Sequence, residues 1–76
     1  MARYYFDVVE DDVFYRDTEG TELRNAKAAR LEATQALAEL ALDTIPGTID
    51  KHLHMTVRES SGRVVFSLDL FFKLTV

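Results

Sequence analysis

The sequence predicts an α+β fold, a two-layer sandwich of order ββαββ with one helix packed on a four-stranded antiparallel sheet. Three observations carry that prediction. Aromatic and β-branched residues alternate near the start, an alanine-rich run in the middle repeats at helical spacing up to Pro46-Gly47, and every even position from Val64 to Val76 is apolar. At 76 residues the chain fits one domain, residues 1–76, near the lower size at which a core is buried without staples.

The run from Arg3 to Val9 reads as a first strand, with Tyr4, Phe6 and Val8 on one face and Tyr5, Asp7 and Val9 on the other. Glu10, Asp11 and Asp12 follow as an acidic turn, and Val13 to Asp17 resumes the alternation to close a hairpin. With Asp11 and Asp12 at the turn, Val9 faces Phe14, Val8 faces Tyr15 and Asp7 faces Arg16, so like meets like. Gly20 ends this hairpin within the stretch Thr18 to Arg24.

Asn25 is a good N-cap for a helix from Ala26 to Ile45, which Pro46 and Gly47 stop. Ala29, Ala33, Ala36, Leu37, Leu40 and Thr44 share one stripe, the face expected to lie on the sheet, where small alanines permit close approach. Leu31, Ala38 and Leu42 recur on the opposite side, flanked by Lys27, Gln35 and Glu39, and a single core leaves that second stripe unused.

From Leu53 to Glu59 the chain alternates again, with Leu53, Met55 and Val57 inward and His54, Thr56 and Arg58 outward. The last strand is expected from Arg63 to Val76, and its length makes it the candidate for the centre of the sheet. Ser60, Ser61 and Gly62 make the turn, and placing Ser61 and Gly62 at its tip pairs Val57 with Phe66, Met55 with Leu68 and Leu53 with Leu70 on the inner face. The same register sets Thr56 against Ser67 and His54 against Asp69 on the outer face. Both faces agree, and a one-residue slip would spoil both.

Composition removes several classes of function. The chain has no cysteine, which excludes disulfides and every thiolate metal or redox site and suits a reducing compartment, so a cytoplasmic location is expected. The charged residues among Met1 to Asp12 interrupt any signal-peptide apolar stretch, and Asp69 and Lys73 break the last apolar segment, so no membrane role is expected. The formal charge of −4 has the wrong sign for drawing in phosphate backbones, which makes nucleic acid an unfavoured partner.

No catalytic machinery is recognisable. His52 and His54 form an H-x-H pair that points to one side of a strand, as some metal sites require, with Asp50 and Asp69 the nearest further donors. The plainer reading is a solvent-facing histidine beside a cross-strand carboxylate, so no metal and no cofactor are expected. His54 and Asp69 are the candidate titrating pair, because a carboxylate favours the charged imidazole. Asp11, Asp12, Asp17, Glu19 and Glu22 match no calcium loop and read as turn and edge residues. Ser67, Asp69 and His54 form a triad in name only, on a sheet face with no cleft implied. The three glycines, Gly20, Gly47 and Gly62, sit at separate turns and make no phosphate loop.

The outer face of the sheet is the most informative surface. Tyr5, Val9, Phe14, Val65 and Phe71 are expected to project away from the helix among Arg3, Arg16, Arg58 and Lys73. A contiguous apolar patch of this kind usually meets a partner, and a second copy of the chain is the simplest one. Aromatic groups among basic ones also suit single-stranded nucleic acid, a reading that the negative charge disfavours.

The segments Arg3 to Asp7 (R-Y-Y-F-D), Asp17 to Leu23 (D-T-E-G-T-E-L) and Ala28 to Ala33 (A-A-R-L-E-A), with the S-G-R turn at Ser61 to Arg63, resemble a family of short bacterial proteins of unknown function found in rhizobia and related alphaproteobacteria. The likeness covers nearly the whole chain. That family typically carries an acidic cap, often with a proline, where this chain has Arg24 and Asn25, a departure that touches capping only. The resemblance implies a fold and a bacterial cytosol and transfers no functional residues. A looser, architectural similarity to HicB-type antitoxin domains implies binding to a toxin. The expectation is therefore a non-enzymatic interaction module that self-associates, with an antitoxin-like or single-stranded nucleic-acid-binding regulator as the alternative.

Overall fold

The computed structural model describes residues 1–76 and forms β1 (Ala2–Glu10), β2 (Val13–Tyr15), β3 (Thr21–Leu23), α1 (Ala26–Thr44), β4 (Asp50–Glu59) and β5 (Val64–Lys73). The sheet runs β2-β1-β4-β5, and β3 pairs with the other end of β1. All pairings are antiparallel, and α1 lies across one face, so the expected α+β sandwich is present with one extra short strand. β2 and β3 share one edge of β1 as a strand broken between Arg16 and Gly20.

The centre of the sheet is β4, not β5. β4 pairs with β1 on one side and β5 on the other, and its Leu53, Met55 and Val57 are all buried, whereas the inward residues of β5 are only half-buried. The length of an apolar strand did not distinguish the two, because the deciding pairing joins β1 to a strand beyond the helix. β4 also begins at Asp50, three residues before the expected start, and so takes in His52; β5 ends at Lys73 and leaves Leu74 to Val76 outside the ladder.

The predicted registers hold where the strands are regular. Val9 faces Phe14 and Val8 faces Tyr15, while Leu53–Leu70, His54–Asp69, Met55–Leu68, Thr56–Ser67 and Val57–Phe66 all pair as expected. The differences lie at the turns. Glu59 accepts at its carbonyl from Gly62 N–H and donates its own N–H to the Arg63 carbonyl, which makes a three-residue loop, Ser60 to Gly62, with Gly62 at φ 94°. Arg58 then pairs with Val64, and a bulge at Val65 restores the register. Val65, expected on the outer face, packs against the core instead. The first hairpin stops pairing at Tyr15, so Arg16 never meets Asp7 across a ladder.

α1 starts where expected, with the Asn25 side chain accepting from Ala28 N–H at 2.9 Å, and ends one residue early with Ile45 as the C-cap. Its buried residues are Ala29, Ala33, Leu37 and Ala41. Every fourth residue winds about 40° around a helix, so this line drifts across the helix face as a twisted sheet requires. That drift brings in Ala41, absent from the expected stripe, and leaves Thr44 half-buried at its edge. Leu31 and Leu42 face solvent as predicted.

Gly20 is the backbone position with least freedom. It holds φ 72°, and a Cβ there would lie 2.9 Å from Arg3 Cγ and Tyr5 Cε2 and 3.0 Å from the Tyr4 carbonyl oxygen. Gly47 also has positive φ, at 87°, but open space around it. Gly47→Ala should therefore cost about 1–2 kcal/mol, the left-handed backbone penalty alone. Gly20→Ala should cost more, because a β-strand neighbour must also move. Urea denaturation of the two variants checks this, and equal losses would mean that close approach is not what requires glycine at position 20.

Candidate functional site

The sheet face away from α1 divides into two halves. The row Asp7, Thr56, Ser67 crosses its middle. On one side Tyr5 and Arg58 lie opposite each other across β1 and β4. On the other side Phe14, Val9, His54 and Asp69 form one row straight across four strands, with His52 and Phe71 paired in the next row.

The first half is a charged anchor. Asp7 is 6% exposed, and Arg58 donates to it from Nε at 2.7 Å to Oδ2 and from Nη2 at 3.4 Å to Oδ1. Arg58 Nη2 also donates to the Asp17 carbonyl at 2.9 Å, and Asp17 N–H donates to Asp7 Oδ1 at 2.9 Å. The Asp17 carboxylate in turn accepts from the N–H groups of Phe6, Glu19 and Gly20. The Arg58 guanidinium lies 4.6 Å from the centre of the Tyr5 ring. This network holds the Arg16–Gly20 arch against the sheet, and it explains two of the sequence signatures structurally: the aspartate of R-Y-Y-F-D and the Asp17 and Gly20 of D-T-E-G-T-E-L. The expected partner of Asp7 was Arg16; Arg58 takes that place because it stands beside Asp7 on the adjacent central strand.

Burial raises the Asp7 carboxyl, but the Arg58 hydrogen bond, the Asp17 N–H and the charges of Arg58 and Arg16 outweigh it and hold the group below the usual carboxylate range. Burial likewise raises Asp17, and the N–H groups of Gly20, Phe6 and Glu19 with the Arg58 charge pull it below normal.

The second half holds the histidines. His54 Nδ1 lies 2.7 Å and His52 Nε2 2.8 Å from the same oxygen, Asp69 Oδ1. His54 Nε2 is 3.1 Å from Thr56 Oγ1. Phe71 stacks on His52 with centroids 4.2 Å apart and planes 7° from parallel. The hydrogen bonds from His54 and His52 keep Asp69 below the usual carboxylate range. The expected pair is thus a trio, since His52, one residue pair along β4, reaches diagonally to the same carboxylate. Asp50 is not part of it, and Ser67 makes no hydrogen bond to His54.

The predicted surface residues separate accordingly. Phe14 is 57% and Phe71 75% exposed, and both border the histidine half with half-buried Val9. Tyr5 belongs to the anchor half under Arg58, and Val65 is not on this face. The acidic residues do not gather either: Asp11 pairs with Lys51, Glu22 with Arg3, and Asp17 faces backbone amides. Asp11 ties the first hairpin to β4, donating its N–H to the His52 carbonyl and accepting from His52 N–H.

These features define a small α+β domain with a carboxylate–guanidinium anchor at one end of an uncovered sheet face and an aromatic and histidine surface at the other. The chain belongs to the family described as "Domain of unknown function (DUF6894)", whose model matches residues 3–71. No curated protein and no solved structure matches it. The match spans the anchor and the histidine trio alike.

The anchor has a pH signature. Both Asp7 and Asp17 have depressed native values, so their stabilisation is present above the unfolded carboxylate value and is lost as pH falls below about 4. Asp7→Asn leaves Arg58 without its counter-charge and should cost about 3 kcal/mol at neutral pH. It should also flatten the acid limb of the stability–pH curve, measured by urea denaturation at a series of pH values; an unchanged limb would remove Asp7 as its source.

Proposed function

We propose that this chain is a non-enzymatic interaction module that self-associates through the histidine half of its outer sheet face. The observation that carries this reading is the uncovered pair of large aromatic groups, Phe14 and Phe71, exposed at 57% and 75% on one flat face. Two further features favour a second copy as the occupant. Only nine of 76 residues are buried, and much of the helix contribution is alanine, so the core is thin for an independent domain and gains from association. The Asp69 carboxylate on this half is also taken up by hydrogen bonds with both imidazoles instead of standing free against a second copy.

A regulator that binds nucleic acid or a toxin is the second reading. Phosphate binding requires free cations around the aromatic groups, yet Arg58 is engaged by Asp7 and Arg3 by Glu22. Arg16 and Lys73 are the basic groups of this face without an ion pair. The setting we assign is a bacterial cytoplasm, bacterial on the resemblance described above and cytoplasmic on a cysteine-free composition that suits a reducing compartment; no helix is long and apolar enough to cross a membrane.

Light scattering after size exclusion, over a range of concentrations, should give a mass twice that of the chain. Phe71→Ser and Phe14→Ser should each weaken association by about tenfold or more, as buried aromatic anchors do. A monomer at every concentration would sink self-association, and salt-sensitive binding to a single-stranded oligonucleotide would favour the second reading.

A further inference from the structure

We propose that His52, His54 and Asp69 form a binding site for a first-row divalent cation of the zinc type. The site is complete within one chain and does not rest on self-association. Each of the three side chains offers one donor atom, and the three donors lie within 4.8 Å of one another. Both imidazole nitrogens already aim at the same carboxylate oxygen, at 2.8 and 2.7 Å. Zinc–ligand bonds of 2.0–2.2 Å at tetrahedral angles place donors roughly 3.3 Å apart, so the two edges to Asp69 open by about half an ångström while side-chain rotation brings the histidine–histidine edge to the same value. One cation then takes the place of the ring protons directed at Asp69, which move to the far ring nitrogens or leave to solvent.

The surroundings supply what an isolated H-x-H pair lacks. With His54 bound through Nδ1, its Nε2–H donates to Thr56 Oγ1, 3.1 Å away, which fixes the tautomer and the ring plane in the way that outer partners of metal-bound histidines do. Phe71 stacks on His52 and restrains the other ring. Both histidines stand on β4, paired on both sides, and Asp69 stands directly opposite His54 on β5, so the backbone positions are set by ladder hydrogen bonds. Two imidazoles with one carboxylate suit zinc, nickel or copper and not magnesium or calcium, which prefer all-oxygen shells. The trio is partly exposed, with side-chain accessibilities of 43%, 33% and 42%, so the cation has an open path and a fourth position for water.

The test is an isothermal titration of the full chain with zinc chloride at neutral pH in a non-chelating buffer, with the ring signals of both histidines followed by NMR. The expected result is saturation at one zinc per chain, with the His52 and His54 signals moving together and no response to magnesium. Thr56→Val should weaken zinc by about 10- to 100-fold, and His52→Gln and Asp69→Ala by more, all three keeping the wild-type circular dichroism spectrum. Absence of saturable binding, a stoichiometry of one zinc per two chains, or affinity unchanged in His52→Gln and Asp69→Ala would each overturn the site. Light-scattering mass in the same samples separates this from self-association, since the site predicts one zinc per chain at concentrations where the chain is a monomer.

Discussion

The buried ion pair between Asp7 and Arg58 is the constraint around which the rest of the molecule is arranged. A carboxylate this buried requires a compensating cation, and Arg58 supplies it from the adjacent central strand while reaching on to the Asp17 carbonyl. One guanidinium thereby joins β1, β4 and the arch that carries the chain from β2 to β3. The arch lets a broken edge strand pair with both ends of β1, and its return through Gly20 depends on the three amides that the Asp17 carboxylate gathers. Removing the carboxylate at position 7 would loosen an edge, a turn and the approach to the helix together.

The anchor also settles which part of the outer face is available. Tyr5 and Arg58 are half-buried and occupied with each other and with the arch, so the half they cover is engaged within the chain. The opposite half carries Phe14, Val9 and Phe71 around the histidine trio and has no element of this chain over it. The helix cannot supply that cover, because its small residues commit it to the inner face, where Ala29 and Ala33 sit flush on the sheet. A thin core on one side and uncovered aromatic groups on the other are two aspects of the same short sequence.

Much of this was legible from local patterns. The N-cap at Asn25, the hairpin of β4 and β5 from Val57–Phe66 to Leu53–Leu70, and the outward placement of Phe14 and Phe71 follow from alternation and capping, which act over a few residues. The order of the strands was not legible, because the β1–β4 pairing spans the helix and no local rule selects it over a β1–β5 contact. The three-residue loop at Ser60 to Gly62 and the bulge at Val65 cancel over a short distance, so the far register looked correct while Val65 itself turned inward. His54 opposite Asp69 could be read from the ladder, but the diagonal reach of His52 depends on side-chain rotation that no spacing encodes. Arg58 was visible as an outward residue; that it neutralises Asp7 required knowing which strand lies beside β1.

The division of the outer face into an engaged half and an associating half is tested most directly by the concentration dependence of backbone amide chemical shifts. On dilution, the shifts of Val9, Phe14, His52, His54, Asp69 and Phe71 should move together along one binding curve, while those of Asp7, Asp17 and Arg58 stay fixed. Shifts that move instead along Leu31, Ala38 and Leu42 on the helix, or that do not move at all, would contradict that division.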